Sequence, residues 1–354
     1  MRALRSDDIF ERICSRKVGT FLRLALAALV AVSTGCARRD VVRRAVPPPE
    51  FIYPGHLEGP NLQLVSLLAD PHADRFAQGM PVDGLPVPGD GFVRTTAAVF
   101  ATDGALYVLD GGRGAVFRSR YDGEGGLADA RRFDLDGRPF PSALDMAIHP
   151  DGACWVVDSK LAGVYRLDGE GRLLSRFEDG LSRPVGIAYH AGAGRMLVTD
   201  LAANRIYEMD AGGNVVASHG PGQGLQLEAP SFIAVGPGGN IFVVEALGAR
   251  VKVIDPQWAV LRTFGGTGDG PGHFARPKGI AVDSGGRVYV VDALFDNVQI
   301  FDREGTLLLT LGTTGQGVAE FWQPMGISID GRQRIFVADS FNRRIQVFRW
   351  TERG

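Results

Sequence analysis

The sequence predicts an all-β protein, a six-bladed β-propeller whose blades each contain four antiparallel strands. The main observation is a repeat, because six short apolar runs each end in an acidic residue. Successive acids are 48, 42, 45, 47 and 47 residues apart, which is the length of one propeller blade. The 48 glycines and the charged fraction of 22% favour short strands and tight turns over a helical bundle. The six acids are Asp110, Asp158, Asp200, Glu245, Asp292 and Asp339.

The apolar runs are continuous, which is the second observation. LYVLD (106–110) and VYVVD (288–292) have apolar residues at neighbouring positions. A strand with one wet face alternates apolar and polar side chains, whereas a strand covered on both faces need not. Radially stacked blades cover both faces of each sheet. A β-sandwich would not explain so regular an internal repeat.

The first and last segments of the repeat region are predicted to meet. The last repeat ends after its third strand, near Trp350. The segment 61–68, NLQLVSLL, precedes the first repeat and can supply the missing outer strand of the last blade. Such pairing closes the ring and removes an exposed sheet edge. The sequence therefore predicts that residues 62–67 pair with residues 345–349.

The first 36 residues have the parts of a secretory signal. Basic residues precede the apolar stretch 24–32, which is too short to span a bilayer comfortably, and small residues follow it. Cys36 comes next and resembles the lipobox cysteine of bacterial lipoproteins, which implies lipid attachment at Cys36. Ser33 departs from that pattern, because Leu or Val is usual there. An ordinary signal peptide in which Cys36 is incidental is the alternative.

A proline-rich tether is predicted at residues 37–60. This segment has five prolines and too few apolar residues to fold. It joins the signal segment, residues 1–36, to a propeller at residues 61–350. We therefore expect an exported protein of the bacterial cell envelope, lipid-anchored to a membrane that faces the periplasm or the exterior.

Several repeats resemble the NHL repeat. The match is closest for FGGTGDGPGHFARPKGIAVDSGGRVYVVD (264–292) and FWQPMGISIDGRQRIFVADSFNRRIQVF (321–348). The third and fourth repeats match through residues 184–186 and Pro230, whereas the first two lack the Asn-x-Arg-Ile signature. The resemblance implies the six-bladed propeller fold. Together with the lipobox and the tether, it implies a group of bacterial lipoproteins whose biochemical role is unsettled.

The repeated acids suggest a metal site, but a structural role explains them better. An aspartate at a strand end can accept N–H bonds from the turn that follows, and its repetition in every blade indicates a scaffold. In three repeats an arginine follows the acid by five residues, which predicts ion pairs within those blades. These arginines are Arg205, Arg250 and Arg344.

A catalytic or metal site in a propeller would lie at the mouth of the central channel, where the innermost strands begin. Calcium takes about six to eight oxygen ligands, and Asp145 is the one carboxylate in the two rings predicted there. The histidines show no zinc-ligand spacing. The sequence therefore predicts no catalytic residue, no metal and no cofactor. The first ring contains Thr96, Leu144, Val185, Ser231, Lys278 and Met325, and the next contains Ala97, Asp145, Gly186, Phe232, Gly279 and Gly326.

Four histidines of the repeats are expected in surface loops. His149 and His190 follow the predicted first strands, and His219 and His273 fall in predicted interblade loops. Cys154 lies in an apolar run, which predicts a buried, inert thiol.

The loops that follow the acids carry apolar residues where Ser, Gly, Asn or Asp are usual. An exposed apolar group spread over blades three to six would indicate a contact surface for a protein or ligand. The alternative is that these side chains pack inward under the neighbouring interblade loops. Lys278 and Asp145 are predicted to supply polar contacts near the centre of this face. Its apolar members are Leu201, Leu247, Leu294, Phe295 and Phe341.

The leading hypothesis is a monomeric, non-enzymatic binding module that presents these loops to a protein or peptide partner at the cell envelope. The alternative, implied by the resemblance to related propellers, is a metal-dependent lyase or a lactonase-like hydrolase. A nucleic-acid partner is disfavoured, because export and a formal net charge of −2 argue against a basic binding face.

Overall fold

The computed structural model describes residues 61–69, 92–121 and 127–351, all of which belong to one compact unit, Pro48–Gly354. The predicted signal segment with Cys36, and the predicted tether, lie outside the described residues. The described ranges are almost entirely β-structure, with one short 3-10 turn at Pro237–Gly239. None of their helical segments has the length and apolar character needed to cross a membrane.

The strands form six four-stranded antiparallel sheets, which confirms the predicted six-bladed propeller. Blade 1 contains β2 (Thr95–Phe100), β3 (Ala105–Asp110), β4 (Ala115–Tyr121) and β5 (Leu127–Phe133). Blade 2 contains β6 (Ala143–Ile148), β7 (Cys154–Asp158), β8 (Gly163–Leu167) and β9 (Leu173–Phe177). Blade 3 contains β10 (Pro184–His190), β11 (Arg195–Asp200), β12 (Arg205–Met209) and β13 (Val215–His219).

The remaining blades repeat this order from the innermost to the outermost strand. Blade 4 contains β14 (Pro230–Val235), β15 (Ile241–Glu245), β16 (Arg250–Ile254) and β17 (Val260–Gly265). Blade 5 contains β18 (Pro277–Val282), β19 (Val288–Asp292), β20 (Asn297–Phe301) and β21 (Leu307–Leu311). A short parallel pair, β22 (Thr313–Thr314) and β23 (Glu320–Phe321), precedes blade 6. Blade 6 contains β24 (Ile327–Ile329), β25 (Arg334–Asp339), β26 (Arg344–Thr351) and, outermost, β1 (Asn61–Ala69).

Apolar side chains fill the six interfaces between neighbouring blades. Between blades 1 and 2, for example, Tyr107 and Phe133 share a core with Phe140 and Tyr165. The second strands of the blades are buried along almost their whole length, because neighbouring blades cover both faces. Each fully buried large apolar side chain contributes about 1.5–3 kcal/mol. The continuous apolar runs of the sequence are therefore explained by two-sided burial.

Cys154 is one of these core residues. Its thiol is buried, and burial raises its pKa to about 12. The prediction of a buried thiol is confirmed, and the raised pKa disfavours the reactive thiolate.

The ring is closed by pairing of the first and last strands. β1 and β26 run antiparallel over eight residue pairs, including Leu62 with Trp350 and Leu68 with Ile345. This confirms the predicted pairing of the two strands, with residues 62–67 opposite residues 346–350, one position later than predicted. Blade 6 also bonds to blade 1 at the centre, where Ser328 Oγ donates to Ala98 O at 2.5 Å. The β1–β26 pairing completes the fourth strand of blade 6.

The six repeated acids are all buried and serve the scaffold. Asp200 is representative: it accepts N–H bonds from Ala202 and Ala203 in the following turn, at 3.1 and 2.9 Å. It also accepts N–H bonds from Ser182 and Arg183, which precede β10, at 2.6 and 3.0 Å. Asp110, Asp158 and Asp292 bind both segments in the same way, whereas Glu245 binds the entering segment and Asp339 holds the following loop through the Asn342 side chain. The predicted structural role is confirmed.

Two of the three predicted ion pairs form. Arg250 Nε lies 2.6 Å from Glu245, and Arg344 Nε lies 2.7 Å from Asp339. The prediction for Arg205 is wrong, because its guanidinium turns to the interblade loop and bonds to Gln223 Oε1 at 2.9 Å. The buried Asp200 carboxylate accepts hydrogen bonds from main-chain N–H groups instead.

Candidate functional site

The inner strands of all six blades surround a central channel of about 240 Å³. Each strand contributes neighbouring residues to the wall, such as 145–148 of blade 2 and 232–235 of blade 4. The wall is mostly apolar, and Asp145 is the one charged side chain among its described lining residues. Water or a ligand group in this channel would therefore have Asp145 as its charged contact.

Glycines let the inner strands approach each other at one end of the channel. A Cβ atom on Gly279 would lie 2.6 Å from Met325 O, and one on Gly326 would lie 2.4 Å from Thr96 O. The Gly279 N–H donates to Met325 O at 2.8 Å, which links blades 5 and 6 directly. A side chain at either glycine would push the blades apart. The alignment of Gly279 and Gly326 in one ring is confirmed by these contacts.

Asp145 belongs to this ring and joins blades 2 and 3. Its Oδ1 accepts the Met146 N–H at 2.9 Å, and its Oδ2 accepts the Ile187 N–H at 3.0 Å. Burial raises the pKa of Asp145 to about 7, although the N–H bonds from Ile187 and Met146 act in the opposite direction. The carboxylate therefore titrates near neutral pH, in contact with the channel.

The described lining of the channel offers a divalent cation one carboxylate, that of Asp145. Calcium needs several oxygen ligands, and Asp145 already accepts a main-chain N–H bond on each oxygen. Within the described ranges, no three His, Cys, Asp or Glu side chains are grouped so that they could hold a metal ion.

Lys278 lies in the ring at the mouth of the channel, one position before Gly279. It is half-buried, and burial lowers the pKa of its ammonium group. The charges of Arg276 and Arg183 lower it further. The role of Lys278 and Asp145 as polar contacts near the centre of this face stays a prediction.

The loops that follow the buried acids lie on the same side of the propeller as the interblade loops, and we call this side the rim face. Three of its predicted apolar residues are exposed: Leu247 by 77%, Leu294 by 60% and Phe341 by 44%. Leu201 and Phe295 are each half-buried, and Leu201 packs against a core cluster that includes residues of blades 3, 4 and 5. The loops after the acids comprise residues 111–114, 159–162, 201–204, 246–249, 293–296 and 340–343.

Sequence reasoning missed three exposed apolar residues of the rim face. Trp322 is 44% exposed and contacts Phe341, with 5.6 Å between ring centroids. Val93 and Leu161 are also exposed, in blades 1 and 2. Trp322 and Val93 precede inner strands and do not follow an acid, so a search limited to the loops after the acids could not find them. Exposed apolar side chains thus occur on the rim face of blades 1, 2, 4, 5 and 6.

Two histidines differ from expectation. His190 is buried at the end of β10, where its Nε2 donates to Gly239 O of blade 4 at 3.0 Å and its Nδ1 accepts the Ala193 N–H at 3.1 Å. His219 is the last residue of β13, bonded to Glu208 at 2.6 Å and stacked on Trp258. Both are therefore structural links and not loop histidines. His149 and His273 lie in loops as predicted.

The architecture defines the protein as a six-bladed β-propeller with four-stranded antiparallel blades. Residues 283–352 match the family model DUF5128, described as a 6-bladed beta-propeller. No curated protein matches the chain.

Solved structures with the same fold have different functions. The chain is similar to a virginiamycin B lyase from Staphylococcus aureus, with 16% identity, a TM-score of 0.54, and coverage of 75% of this chain and 82% of that chain. It is also similar to a gluconolactonase from Xanthomonas campestris, with 16% identity, a TM-score of 0.59, and coverage of 87% of this chain and 99% of that chain. A third similar structure is an auxiliary nutrient binding protein from Bacteroides ovatus, with 15% identity, a TM-score of 0.58, and coverage of 74% of this chain and 70% of that chain. At such identities the likeness shows the fold alone, which serves both enzymes and binding proteins.

Proposed function

We propose that this propeller is a non-enzymatic binding module that presents its rim face to a protein or peptide partner at the bacterial cell envelope. The observation that carries the proposal is the set of large apolar side chains exposed on the loop tips, above all Leu247 and Leu294. Surface turns rarely expose such residues, and a grouped set of them is typical of a contact surface.

The rigidity of these tips supports the same proposal. The Leu294 N–H donates to the buried Asp292 at 3.0 Å, and the Phe341 N–H donates to Trp322 O at 3.1 Å. A surface whose backbone is fixed before binding loses less conformational entropy when the partner arrives. These backbone hydrogen bonds therefore support a role of the rim face in binding.

Replacing three rim residues together tests this proposal. We expect Leu247→Ser/Leu294→Ser/Phe341→Ser to abolish capture of the partner in crosslinking pull-downs from intact envelopes. The fold should be retained, because exposed side chains contribute little to stability, about 0.5 kcal/mol or less each. Thermal melting of the variant measures that retention.

The matched control replaces three leucines that are exposed on outer strands. Leu174, Leu261 and Leu308 lie on β9, β17 and β21, away from the rim face. Their triple Ser variant should capture the partner as the wild type does. If the rim variant captured as much partner as this control, the rim face would not be the binding surface.

We further propose that Cys36 carries the lipid that holds the module at a membrane, with residues 37–60 as the tether. Metabolic labelling with a radioactive fatty acid should mark the wild-type protein. Cys36→Ser should lose the label and leave the membrane fraction, whereas Cys14→Ser should keep both, because only Cys36 follows the small residues of a lipobox-like site. A labelled Cys36→Ser protein would contradict the proposal.

A further inference from the structure

The central channel is large enough to hold a small molecule. Its volume is about 240 Å³, whereas one water molecule needs about 10–15 Å³. The described wall is built from the inner strands of all six blades, and most of its residues are alanine, valine or isoleucine. An apolar cavity with few polar groups is typical of sites for small ligands. The channel is therefore a candidate site distinct from the loop tips of the rim face.

Asp145 is the charged side chain of this described wall. It is half-buried, so part of its surface remains accessible from the channel. The other five blades build the same ring without a carboxylate, so the repeat itself does not require one. None of these five residues has a polar side chain: Ala97, Gly186, Phe232, Gly279 and Gly326.

No basic side chain pairs with Asp145 among the residues that the structure describes. Tyr189 is the other ionisable residue of the described wall, and Lys278 lies in the neighbouring ring at the mouth. Neither of them bonds to Asp145 in that part of the chain. Burying an ionised carboxylate costs free energy unless a partner compensates its charge. A cationic ligand would supply the counter-charge that the protein does not.

The carboxylate of Asp145 is held in place and can still accept hydrogen bonds. Its Oδ1 accepts the Met146 N–H at 2.9 Å, and its Oδ2 accepts the Ile187 N–H at 3.0 Å. A carboxylate can accept about four hydrogen bonds, two on each oxygen. One acceptor position is therefore left on each oxygen, while the two main-chain bonds fix the orientation of the group between blades 2 and 3.

We propose that the channel binds a small primary alkylammonium ion, whose charged head pairs with Asp145 and whose alkyl part packs against the apolar wall. The N–H groups of an ammonium ion form charge-assisted hydrogen bonds with a carboxylate. The apolar wall favours an organic cation over a metal ion, because an alkyl group gains free energy when it leaves water. This site is additional to the proposed rim-face function and does not depend on it.

Two probes that differ in charge test the inference on the full chain. They are n-butylammonium and 1-butanol, which have alkyl chains of the same length, titrated into the protein by calorimetry at pH 8 and low salt. We expect the ammonium ion to bind with one-to-one stoichiometry and about tenfold more tightly than the alcohol, which corresponds to about 1.4 kcal/mol. Equal affinity for the two probes would overturn the inference.

Proton release identifies the group that pairs with the ammonium ion. Burial raises the pKa of Asp145 to about 7, so its carboxyl group is mostly protonated at pH 6 and mostly ionised at pH 8. Binding of n-butylammonium should therefore release most of one proton at pH 6 and little at pH 8, with an affinity about tenfold lower at pH 6. Calorimetry in two buffers of different ionisation enthalpy measures this release. Binding without proton release at pH 6 would place the ion at exposed, already ionised carboxylates and would contradict the proposal.

A variant and a matched control locate the site. Asp145→Asn should bind the two probes alike and release no proton. Asp179→Asn removes the same charge from an exposed turn after β9 and should behave as the wild type does. A preference for the ammonium ion that survives in Asp145→Asn would rule out the proposed site. Thermal melting checks that Asp145→Asn folds, and proton release by the wild type tests the site without any variant.

The channel site and the rim face are tested separately. The Leu247→Ser/Leu294→Ser/Phe341→Ser variant should bind n-butylammonium as the wild type does, because its substitutions lie on loop tips. Asp145→Asn should in turn capture the partner as fully as the wild type. Loss of n-butylammonium binding in the folded rim variant would contradict a site in the channel.

Discussion

Removal of β1 is expected to lower the melting temperature of the propeller by more than about 10 °C. Eight residue pairs join β1 to β26, and each net backbone hydrogen bond contributes about 1 kcal/mol. For a domain of this size, each lost kcal/mol lowers the melting temperature by about 2–4 °C. Thermal melts followed by circular dichroism measure the effect on a chain that begins at residue 70.

The matched control begins at Asn61, so that it lacks the first 60 residues and retains β1. It should melt within a few degrees of the longer chain. The shorter chain should also self-associate in size-exclusion chromatography, because the loss of β1 exposes the edge of β26. Identical melting of the two truncated chains would show that β1 does not close the ring in solution.

The second prediction with a large effect is that Asp145 makes the free energy of unfolding depend on pH. The pKa of Asp145 is raised from 3.8 to about 7 in the folded state by burial. Between these two values the folded protein holds a proton that the unfolded chain has released, so the free energy of unfolding falls as pH rises. The slope from this group is up to about 1.4 kcal/mol per pH unit, or as much as about 4 kcal/mol from pH 4 to pH 7.

Asp145→Asn isolates this contribution from the other titrating groups. Asparagine has nearly the shape of a protonated aspartate and does not ionise, so the variant lacks the decline. Urea unfolding at pH 5, 6, 7 and 8 should give wild-type stabilities that fall relative to those of the variant and then level off above pH 7. Parallel stability curves for the two proteins would mean that Asp145 is ionised at pH 5 as well as at pH 7.

The fold was predictable because its causes are local and repeated. Two-sided burial leaves a continuous apolar run such as VYVVD, and the need to bind turn N–H groups places an acid after each run. Ring closure was predictable from counting, since one strand was missing at the end and one was extra at the start. These features depend on residues within a single repeat, or on the sum of the repeats.

The features that escaped prediction depend on contacts between repeats. His190 is buried because Gly239 O of the next blade accepts its Nε2–H, a partner 49 residues away. Arg205 bonds to Gln223 of the interblade loop and not to Asp200, whereas the equivalent Arg250 forms an ion pair with Glu245, the acid of its own blade. The spacing of residues within one repeat does not show which of two possible partners a side chain will contact in the folded ring.

The candidate site was predictable only in outline. Leu247 and Leu294 were identifiable because apolar residues are unusual in turns. Val93 and Trp322 were not, because they precede inner strands and do not follow an acid. The signal that could have found them is their shared position in the segment that enters an inner strand.

The way in which the buried acids hold the rim loops separates recognition from folding. These carboxylates bind main-chain N–H groups, such as those of Ala202 and Leu294, which every residue except proline supplies. The identity of tip side chains such as those of Ala202 and Leu294 is therefore of little consequence to the scaffold. The rim face resembles an antibody paratope in this respect, since its specificity can be rewritten, by natural divergence or in a combinatorial library, on an unchanged framework.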